Sequence, residues 1–162
     1  MQVGITGHQR LSDEDSWTWV ADTIRAALSP IEAPLIGISS LAIGADQLFA
    51  FLILKLGGEL RVVLPFPTYA DTFTPGKDLD GYRDLLSRAG AIEVLAAATS
   101  REQSYLAAGQ RVVDLADWMI AVWNGKQAAG LGGTGDVVRY AVERGKRVLH
   151  IDPTARRVAQ YF

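Results

Sequence analysis

The sequence contains no cysteine and only two histidines, His8 and His150. Without cysteine the chain forms no disulfide, no thiolate nucleophile and no cysteine-based zinc site. The two histidines stand far apart along the chain, so the spacing typical of metal ligands is absent. We therefore expect a protein with no bound metal, no disulfide framework and no cofactor.

Long apolar runs are also missing, and so is an excess of positive charge. No apolar run reaches the roughly 20 residues that a membrane-spanning helix needs, and the first residues, MQVGITGHQ, do not form a signal peptide. We expect a cytoplasmic protein without membrane contact. The formal net charge of −2 argues against charge-driven binding of nucleic acid, which needs many lysines and arginines. We therefore do not expect a nucleic-acid partner, whereas a small anionic ligand is compatible with this charge.

The composition is typical of one globular domain over residues 1–162. Hydrophobic residues make up 49% and charged residues 21% of the chain, which is enough for a single core. Apolar runs alternate with amphipathic segments, and nearly every predicted strand is continuously apolar, as in a sheet covered on both faces. This pattern predicts an α/β fold, a doubly wound, mostly parallel Rossmann-like sheet with helices on both faces. The predicted strands are residues 2–6, 35–38, 60–65, 91–96, 118–123 and 147–151.

A glycine-rich loop follows the fifth predicted strand, within DWMIAVWNGKQAAGLGGTGDVV at residues 117–138. A strand, a glycine-rich loop and a helix start form a phosphate cradle, because backbone N–H groups approach the anion and the helix N-terminus adds partial positive charge. The loop fits neither the GxGxxG spacing nor the GK[ST] ending of a P-loop. We therefore expect a phosphate cradle that is neither a nicotinamide site nor a nucleotide-hydrolysis site. Its glycines are Gly125, Gly130, Gly132, Gly133 and Gly135.

Four loops are predicted to meet at one edge of this sheet, because ligands of such folds bind beyond the carboxyl ends of the strands. They are residues 6–10, 39–46, 65–73 and 124–136. In the first, His8 and Arg10 either face a phosphate or ribose, or serve only the loop and the solvent. In the second, Ser39, Ser40 and Gly44 let the backbone approach a ligand, and Asp46 either accepts from ribose hydroxyls or caps its own helix.

Aromatic residues offer a surface for a base, although most belong to the predicted core. Phe66 and Tyr69 follow the third strand, where an aromatic side chain is more often core than a stacking platform. Trp123 lies beside Asn124 at the loop and is the tryptophan that we assign to the site. In the glycine-rich loop Thr134 would contribute a hydroxyl.

Nucleophilic catalysis has little support in the sequence. No GxSxG motif is present, and a Ser/His/Asp triad has no characteristic spacing here. Carboxylates in the loops are the remaining groups for acid–base chemistry. Asp46 and Asp136 are the best placed of these, and Asp136 alternatively caps a helix or contacts a sugar.

Four segments together resemble the SLOG superfamily of Rossmann-like domains, which includes the LOG phosphoribohydrolases and the DprA/SMF proteins. The segments are GITGHQR, GISSLAIGADQLFA, VVLPFP and DWMIAVWNG…GLGGTGDVV. The resemblance implies a nucleotide-derived ligand held by the glycine-rich turns. Carried over by position, it implies a pocket formed by Gly7, His8, Arg10, Ser39, Ser40, Gly44, Asp46, Asn124, Gly132, Gly133, Thr134 and Asp136.

One departure from the LOG pattern affects the predicted activity. LOG hydrolases carry PGGxGTxxE, in which the final Glu and an upstream Arg are catalytic, and the matching segment here is LGGTGDVVR. Arg139 stands at the position of the catalytic Glu. We therefore expect binding of a nucleoside phosphate or an ADP-ribose-like molecule, with sensing as its use. The alternative is an N-glycosidase or phosphoribohydrolase acting on a nucleoside monophosphate, with Asp136 and Asp46 as the catalytic carboxylates.

The second predicted helix, residues 45–56, is unusually apolar. A helix of this kind either pairs with a second copy of the chain or is buried between the sheet and its neighbours. We expect a homodimer or a higher homo-oligomer. Its apolar residues include Leu48, Phe49, Phe51, Leu52 and Leu54.

Overall fold

The structure is a computed structural model that describes residues 1–127 and 131–162. Gly130, which the sequence assigns to the glycine-rich loop, lies outside the described residues. The strands are β1 (Gln2–Gly7), β2 (Ile36–Ser39), β3 (Glu59–Leu64), β4 (Ala91–Val94), β5 (Trp118–Val122), β6 (Arg147–Asp152) and β7 (Arg157–Tyr161). The helices are α1 (Glu14–Leu28), α2 (Ala45–Lys55), α3 (Lys77–Ser87), α4 (Arg101–Leu115) and α5 (Thr134–Glu143), with a 3-10 turn over Tyr69–Thr72.

The strands form one sheet in the order β4-β3-β2-β1-β5-β6-β7. β1 to β6 pair in parallel, and β7 pairs antiparallel with β6. The predicted doubly wound α/β fold is therefore confirmed. The direction in which the chain adds strands reverses between β1 and β5, and this switch point is where such sheets bind ligands.

The last strand, β7, was not predicted from the sequence. Its residues RVAQY are all exposed, so they lack the continuous apolar signature of the inner strands. The strand exists because it pairs with the edge of β6, for example Ile151 with Val158. An exposed edge strand of this kind gives little signal in hydropathy.

Side chains of successive residues in the central strands enter two different cores. Ile120 and Val122 of β5 pack with the α1 and α2 residues of one face, whereas Met119 and Ala121 pack with α4 and α5 on the other. Every residue of β5 is buried, as expected for a strand covered on both faces. The two layers of helices hold the carboxyl ends of the strands in fixed positions.

The apolar helix α2 is largely buried within the described chain. Phe49, Leu52 and Ile53 pack into the core with 2% exposure or less, while Phe51 is 43% exposed. Burial against the sheet and α1 accounts for most of the apolar character on which the homodimer prediction rests. The homodimer therefore stays a prediction. None of the helices in residues 1–127 and 131–162 is long and apolar enough to cross a membrane.

Candidate functional site

The site is built around a junction between the loops that follow β1 and β5. The backbone N–H of His8 donates to the carbonyl of Val122 at 2.9 Å. Nε2 of His8 accepts from the backbone N–H of Asn124 at 3.1 Å, so the proton of the neutral ring lies on Nδ1. These two bonds fix the two loops against each other at the switch point of the sheet.

The loop after β2 is joined to the same junction through two glycines. The N–H of Ala45 donates to the carbonyl of His8 at 3.1 Å. Gly44 has φ +84°, and a Cβ there would lie 2.4 Å from the carbonyl oxygen of Gln9. At Gly7 a Cβ would lie 2.6 Å from the Cβ of Ala45. Both glycines are therefore needed for loop packing, whatever the site binds.

Above this junction lies a cavity of about 860 Å³, hereafter the main cavity. This volume is in the range of small-molecule sites. All four predicted loops contribute to its lining, together with α4 and α5. The predicted site residues that line it are Gly7, His8, Arg10, Ser40, Asp46, Tyr69, Trp123, Asn124, Gly132, Gly133 and Thr134. The predicted residues that lie outside its lining are Ser39, Gly44, Phe66 and Asp136.

One wall of the main cavity is the N-terminus of α5. The helix has ten residues, and its N-cap is Gly133, which has no side chain to bond the first amides. Thr134 and Gly135 in the first turn line the cavity. The partial positive charge of the helix therefore faces the cavity.

The loop before α5 is braced by Asp136 and by α4. The Asp136 carboxylate accepts from the N–H of Gly132 at 2.9 Å and pairs with Arg139. Gly132 has φ +85°, and a Cβ there would lie 2.7 Å from the carbonyl oxygen of Glu102 in α4. The carboxylate of Asp136 is thus bonded to its own loop, next to the helix start. The sequence left three roles open for this residue, which are capping a helix, contacting a sugar and catalysis.

Asp46 occupies the floor of the main cavity. It is buried, and its carboxylate accepts from Ser39 Oγ at 3.1 Å and from the Ser40 N–H at 3.0 Å. Burial raises the pKa of Asp46 to about 6, although these hydrogen bonds act in the opposite direction. Of the two readings given by the sequence, capping of α2 does not apply, because the N-cap of that helix is Gly44.

Ser39 is fully buried and lies behind Asp46 rather than in the cavity. Its hydroxyl donates to the Asp46 carboxylate and accepts from the N–H of Leu41 at 3.0 Å. Ser39 therefore positions Asp46 and the turn after β2. The serine of this loop that lines the main cavity is Ser40.

Aromatic side chains form another wall of the main cavity. Tyr69, Phe73 and Tyr105 line the main cavity, and burial raises the pKa of Tyr69 above its ordinary value. Phe66 packs behind them, with its ring centroid 5.8 Å from that of Tyr69. Phe73 was not predicted as a site residue, although it belongs to the aromatic-rich loop after β3, and that clustering is the signal that could have identified it.

Trp123 supports the cavity from the side of β6. Its Nε1–H donates to the carbonyl of Lys126 at 2.8 Å, and its ring lies 5.3 Å from that of the buried His150. A Cβ on Gly135 would lie 3.3 Å from the Trp123 ring. The indole therefore packs against the first turn of α5 and helps to position that turn relative to β5.

Charged side chains of both signs border the main cavity. Arg10 and Lys126 are its basic residues, and Asp46 and Asp78 are its acidic residues. Arg10 is largely exposed and lies 3.7 Å from Asp78. Within residues 1–127 and 131–162 no group of three or more His, Asp or Glu side chains is arranged to hold a metal ion.

Comparison with family models gives no match, and no curated protein sequence matches the chain. Solved structures do match. DprA from Streptococcus pneumoniae is 19% identical with a TM-score of 0.65, covering 93% of this chain and 50% of that one. DprA from Helicobacter pylori is 18% identical with a TM-score of 0.67, covering 94% and 65%. The molybdenum cofactor carrier protein from Chlamydomonas reinhardtii is 16% identical with a TM-score of 0.53, covering 95% and 79%.

These matches are to proteins with SLOG-type folds, and they confirm the Rossmann-like fold that the sequence motifs indicated. The chain spans between half and two thirds of the length of the two DprA proteins. The expectation that nucleic acid is an unlikely partner is wrong as an inference from net charge, because it conflicts with a structural neighbour: the DprA from H. pylori binds single-stranded DNA. A net charge of −2 is a sum over the whole chain, and it does not exclude a locally basic surface region that could bind the phosphates of a nucleic acid.

Proposed function

We propose that the protein binds a nucleotide-derived small molecule, a nucleoside phosphate or an ADP-ribose-like molecule, in the main cavity, and that it acts as a sensor of this ligand. The observation that carries the proposal is the N-terminus of α5, which opens into a cavity of about 860 Å³ at the switch point of the sheet. A nucleotide carries a phosphate, sugar hydroxyls and a flat base. These groups match the N-terminus of α5, the polar residues around Asp46 and the aromatic wall, respectively.

The phosphate is assigned to the first turn of α5. Backbone N–H groups at a helix N-terminus bind phosphate well, because the unpaired donors and the helix dipole act together. Gly133 and Thr134 line the cavity there, and because the N-cap Gly133 has no side chain, nothing at that position blocks the approach of a phosphate to the backbone N–H groups. The Thr134 hydroxyl adds a further donor at this position.

The sugar and the base are assigned to the floor and to the aromatic wall. Asp46 and Ser40 present a carboxylate and a hydroxyl, which suit the two hydroxyls of a ribose. Tyr105 and Phe73 are the aromatic rings available to the base, and each such stacking contact contributes about 1–3 kcal/mol in single-stranded nucleic-acid complexes. Tyr69 is 5% exposed, so it supports that wall from behind.

The test is a thermal-shift screen of nucleoside mono-, di- and triphosphates and ADP-ribose with Thr134→Asp as the discriminating variant. An aspartate in the first helical turn stabilises the helix, yet it repels a phosphate. Gln103→Glu is the matched control, since it adds the same charge to the first turn of α4, outside the cavity lining. Stabilisation of wild type and of Gln103→Glu, but not of Thr134→Asp, supports the proposal. A folded wild type that no nucleotide stabilises refutes it.

Hydrolysis of an N-glycosidic bond is the second candidate, and the position of Asp46 favours it. A carboxyl group with a pKa of about 6 is present in both protonation states near neutral pH, as acid–base catalysis requires. Asp136 is the other predicted catalytic residue, and its carboxylate is bonded to Gly132 and Arg139. Chromatographic detection of free base from nucleoside monophosphates, in wild type, Asp46→Asn and Asp136→Asn, tests both residues. Base release that persists in Asp46→Asn removes Asp46 from the catalytic role.

Single-stranded DNA enters the proposal through the H. pylori DprA, which binds it. An oligonucleotide therefore belongs in the ligand screen beside the mononucleotides.

The assignments of a single domain over residues 1–162, a cytoplasmic location and a homodimer stay predictions. Light scattering over a range of protein concentrations tests the homodimer, and a monomer mass throughout rejects it.

A further inference from the structure

A second cavity adjoins the main one at the same edge of the sheet. This outer cavity has a volume of about 440 Å³ and lies among the loops that follow β1, β5 and β6. It shares His8, Arg10 and Asn124 with the lining of the main cavity. The junction of His8 and Asn124 is therefore a partition between two neighbouring spaces, and Arg10 borders both.

The outer cavity is built partly by the turn between β6 and β7. The Asp152 carboxylate accepts from the N–H groups of Thr154 and Ala155, both at 2.9 Å. Arg156 follows with φ +49°, a left-handed conformation that is uncommon for a residue other than glycine. The turn thus has a defined shape, and it brings Arg156 and Thr154 to the outer cavity.

The charges of the outer cavity favour an anion. Arg10 and Arg156 provide two guanidinium groups, and Ser12 and Thr154 provide hydroxyl donors. Arg10 also lies 3.7 Å from Asp78, and the pKa of Asp13 is lowered by its hydrogen bonds with Ser16 and Ser12 and further by the charge of Arg156, so each arginine has an acidic neighbour. The one acidic residue of the outer cavity, Asp13, is already engaged as the N-cap of α1, where it accepts from the Ser16 N–H at 2.7 Å and from Ser12 Oγ at 3.0 Å. Because the Asp13 side chain already accepts a hydrogen bond from the first turn of α1, the N-terminus of that helix is not the anion-binding group here. The groups that would bind an anion are the two arginines.

We infer that the outer cavity binds a second phosphate of the same ligand, so that the ligand is a small molecule with two phosphate groups joined through a nucleoside. A 5′-phosphorylated dinucleotide has this chemistry. One phosphate binds at the first turn of α5, and the other binds between Arg10 and Arg156. This inference rests on the proposed function, since it assigns a ligand class to that site and its neighbour.

The test compares the affinities of adenosine monophosphate and of the 5′-phosphorylated dinucleotide pApA by calorimetry. In wild type we expect pApA to bind about tenfold more tightly, the size of effect that a charge-assisted hydrogen bond at a partly exposed site gives. Arg156→Ala is expected to reduce the ratio of the two affinities to near one. Arg156→Gly, which suits the positive φ, is a second variant with the same expected ratio. The matched control is Arg157→Ala, an exposed arginine of β7 that borders neither cavity, and it should keep the wild-type ratio.

The outcomes separate this inference from the proposed function. A wild type that binds both ligands equally, or a ratio unaffected by both Arg156 variants, overturns the outer site while nucleotide binding stands. A folded wild type that binds neither ligand overturns the proposed function itself. If an oligoadenylate of eight nucleotides binds far more tightly than pApA, and its affinity depends strongly on the salt concentration, the small-molecule assignment is overturned in favour of a nucleic-acid strand.

Discussion

The backbone N–H of Asn124 donates to Nε2 of His8 at 3.1 Å, and this bond ties the loop after β5 to the loop after β1. It lies just beyond Gly7 and Val122, the last paired residues of β1 and β5, and it joins the two loops where the pairing of these strands ends. The position of the glycine-rich segment relative to the rest of the cavity depends on it. His8 is therefore assigned a positioning role in addition to its place in the cavity lining.

His8→Ala is expected to weaken ligand binding and to lower the free energy of unfolding by about 1 kcal/mol, the net value of one hydrogen bond. His8→Gln keeps a side-chain acceptor and is expected to retain more of both. Urea unfolding and calorimetry with the best nucleotide from the screen measure the two quantities. Equal stability of wild type and His8→Ala would show that the bond contributes nothing.

Gly44→Ala is expected to lower the free energy of unfolding by more than about 2 kcal/mol. Two causes act together, a backbone at φ +84° and ψ −123° that costs about 1–3 kcal/mol for residues other than glycine, and a Cβ placed 2.4 Å from the Gln9 carbonyl oxygen. Gly57→Ala is the matched control, because Gly57 also has a positive φ, +76°, but its Cβ would meet nothing within 4 Å. Urea unfolding of both variants separates steric overlap from backbone strain. Similar losses in the two variants would contradict the packing of the loops after β1 and β2.

The buried carboxyl of Asp46 is expected to make the protein more stable at mildly acidic pH. Its pKa is about 6 in the folded state, against an ordinary value of 3.8. Between these values the folded state binds more protons than the unfolded state, so the free energy of unfolding falls as the pH rises through this range. The difference amounts to roughly 3 kcal/mol for one such group.

Asp46→Asn removes this titration and keeps a side-chain acceptor for Ser39 and Ser40. Urea unfolding of both proteins at pH 4 and pH 7 is the measurement. Wild type is expected to lose ~2–3 kcal/mol more than the variant over this interval. Parallel profiles would mean that the carboxyl is not buried as the structure has it.

Asp136 is expected to matter more for stability than its ion-pair partner. Asp136→Ala leaves the Gly132 N–H without its acceptor and is expected to cost about 1–2 kcal/mol, as for the loss of a helix cap. Arg139→Ala removes an exposed ion pair, whose usual value is about 0–1 kcal/mol. Hydrogen exchange at the Gly132 amide, with urea unfolding, tests the difference. A larger loss in Arg139→Ala would reverse the assignment.

The sheet and the four loops were predictable because their signals are local. β5 is apolar at every position, and the glycines and the helix start after it identify a cradle without any knowledge of distant residues. β7 was not predictable in this way, since its exposed residues gain their structure only from pairing with β6. Arg156, which lies just before β7, was missed for the same reason, and so was the outer cavity.

The roles of individual side chains were harder to predict than their location. Ser39 and Ser40 are neighbours with the same hydroxyl, yet Ser39 is buried behind Asp46 and Ser40 lines the main cavity. Side chains alternate between the two faces at the end of a strand, and this alternation decides which serine faces the cavity. An error of one residue in the predicted strand end therefore exchanges the predicted orientations of the two serines. The strand was predicted to end at residue 38 and ends at Ser39.

The carboxylates illustrate the same limit. Asp136 follows Gly135, and Asp46 lies two residues after Gly44, each in the first turn of a helix, so the sequence gives no clear distinction between them. Asp136 bonds to its own loop, whereas Asp46 is buried at the cavity floor by the aromatic side chains and loops packed around it. Those surroundings come from residues distant in sequence, which no local pattern contains.

The central claim, that a phosphate-bearing nucleotide binds at the first turn of α5, is tested most directly by calorimetric titration of wild type, Thr134→Asp and Gln103→Glu with the same nucleotide. Binding to wild type and Gln103→Glu, with the affinity of Thr134→Asp lower by about tenfold or more, is the result that we predict. Equal affinity of all three folded proteins would place the phosphate elsewhere and contradict the claim.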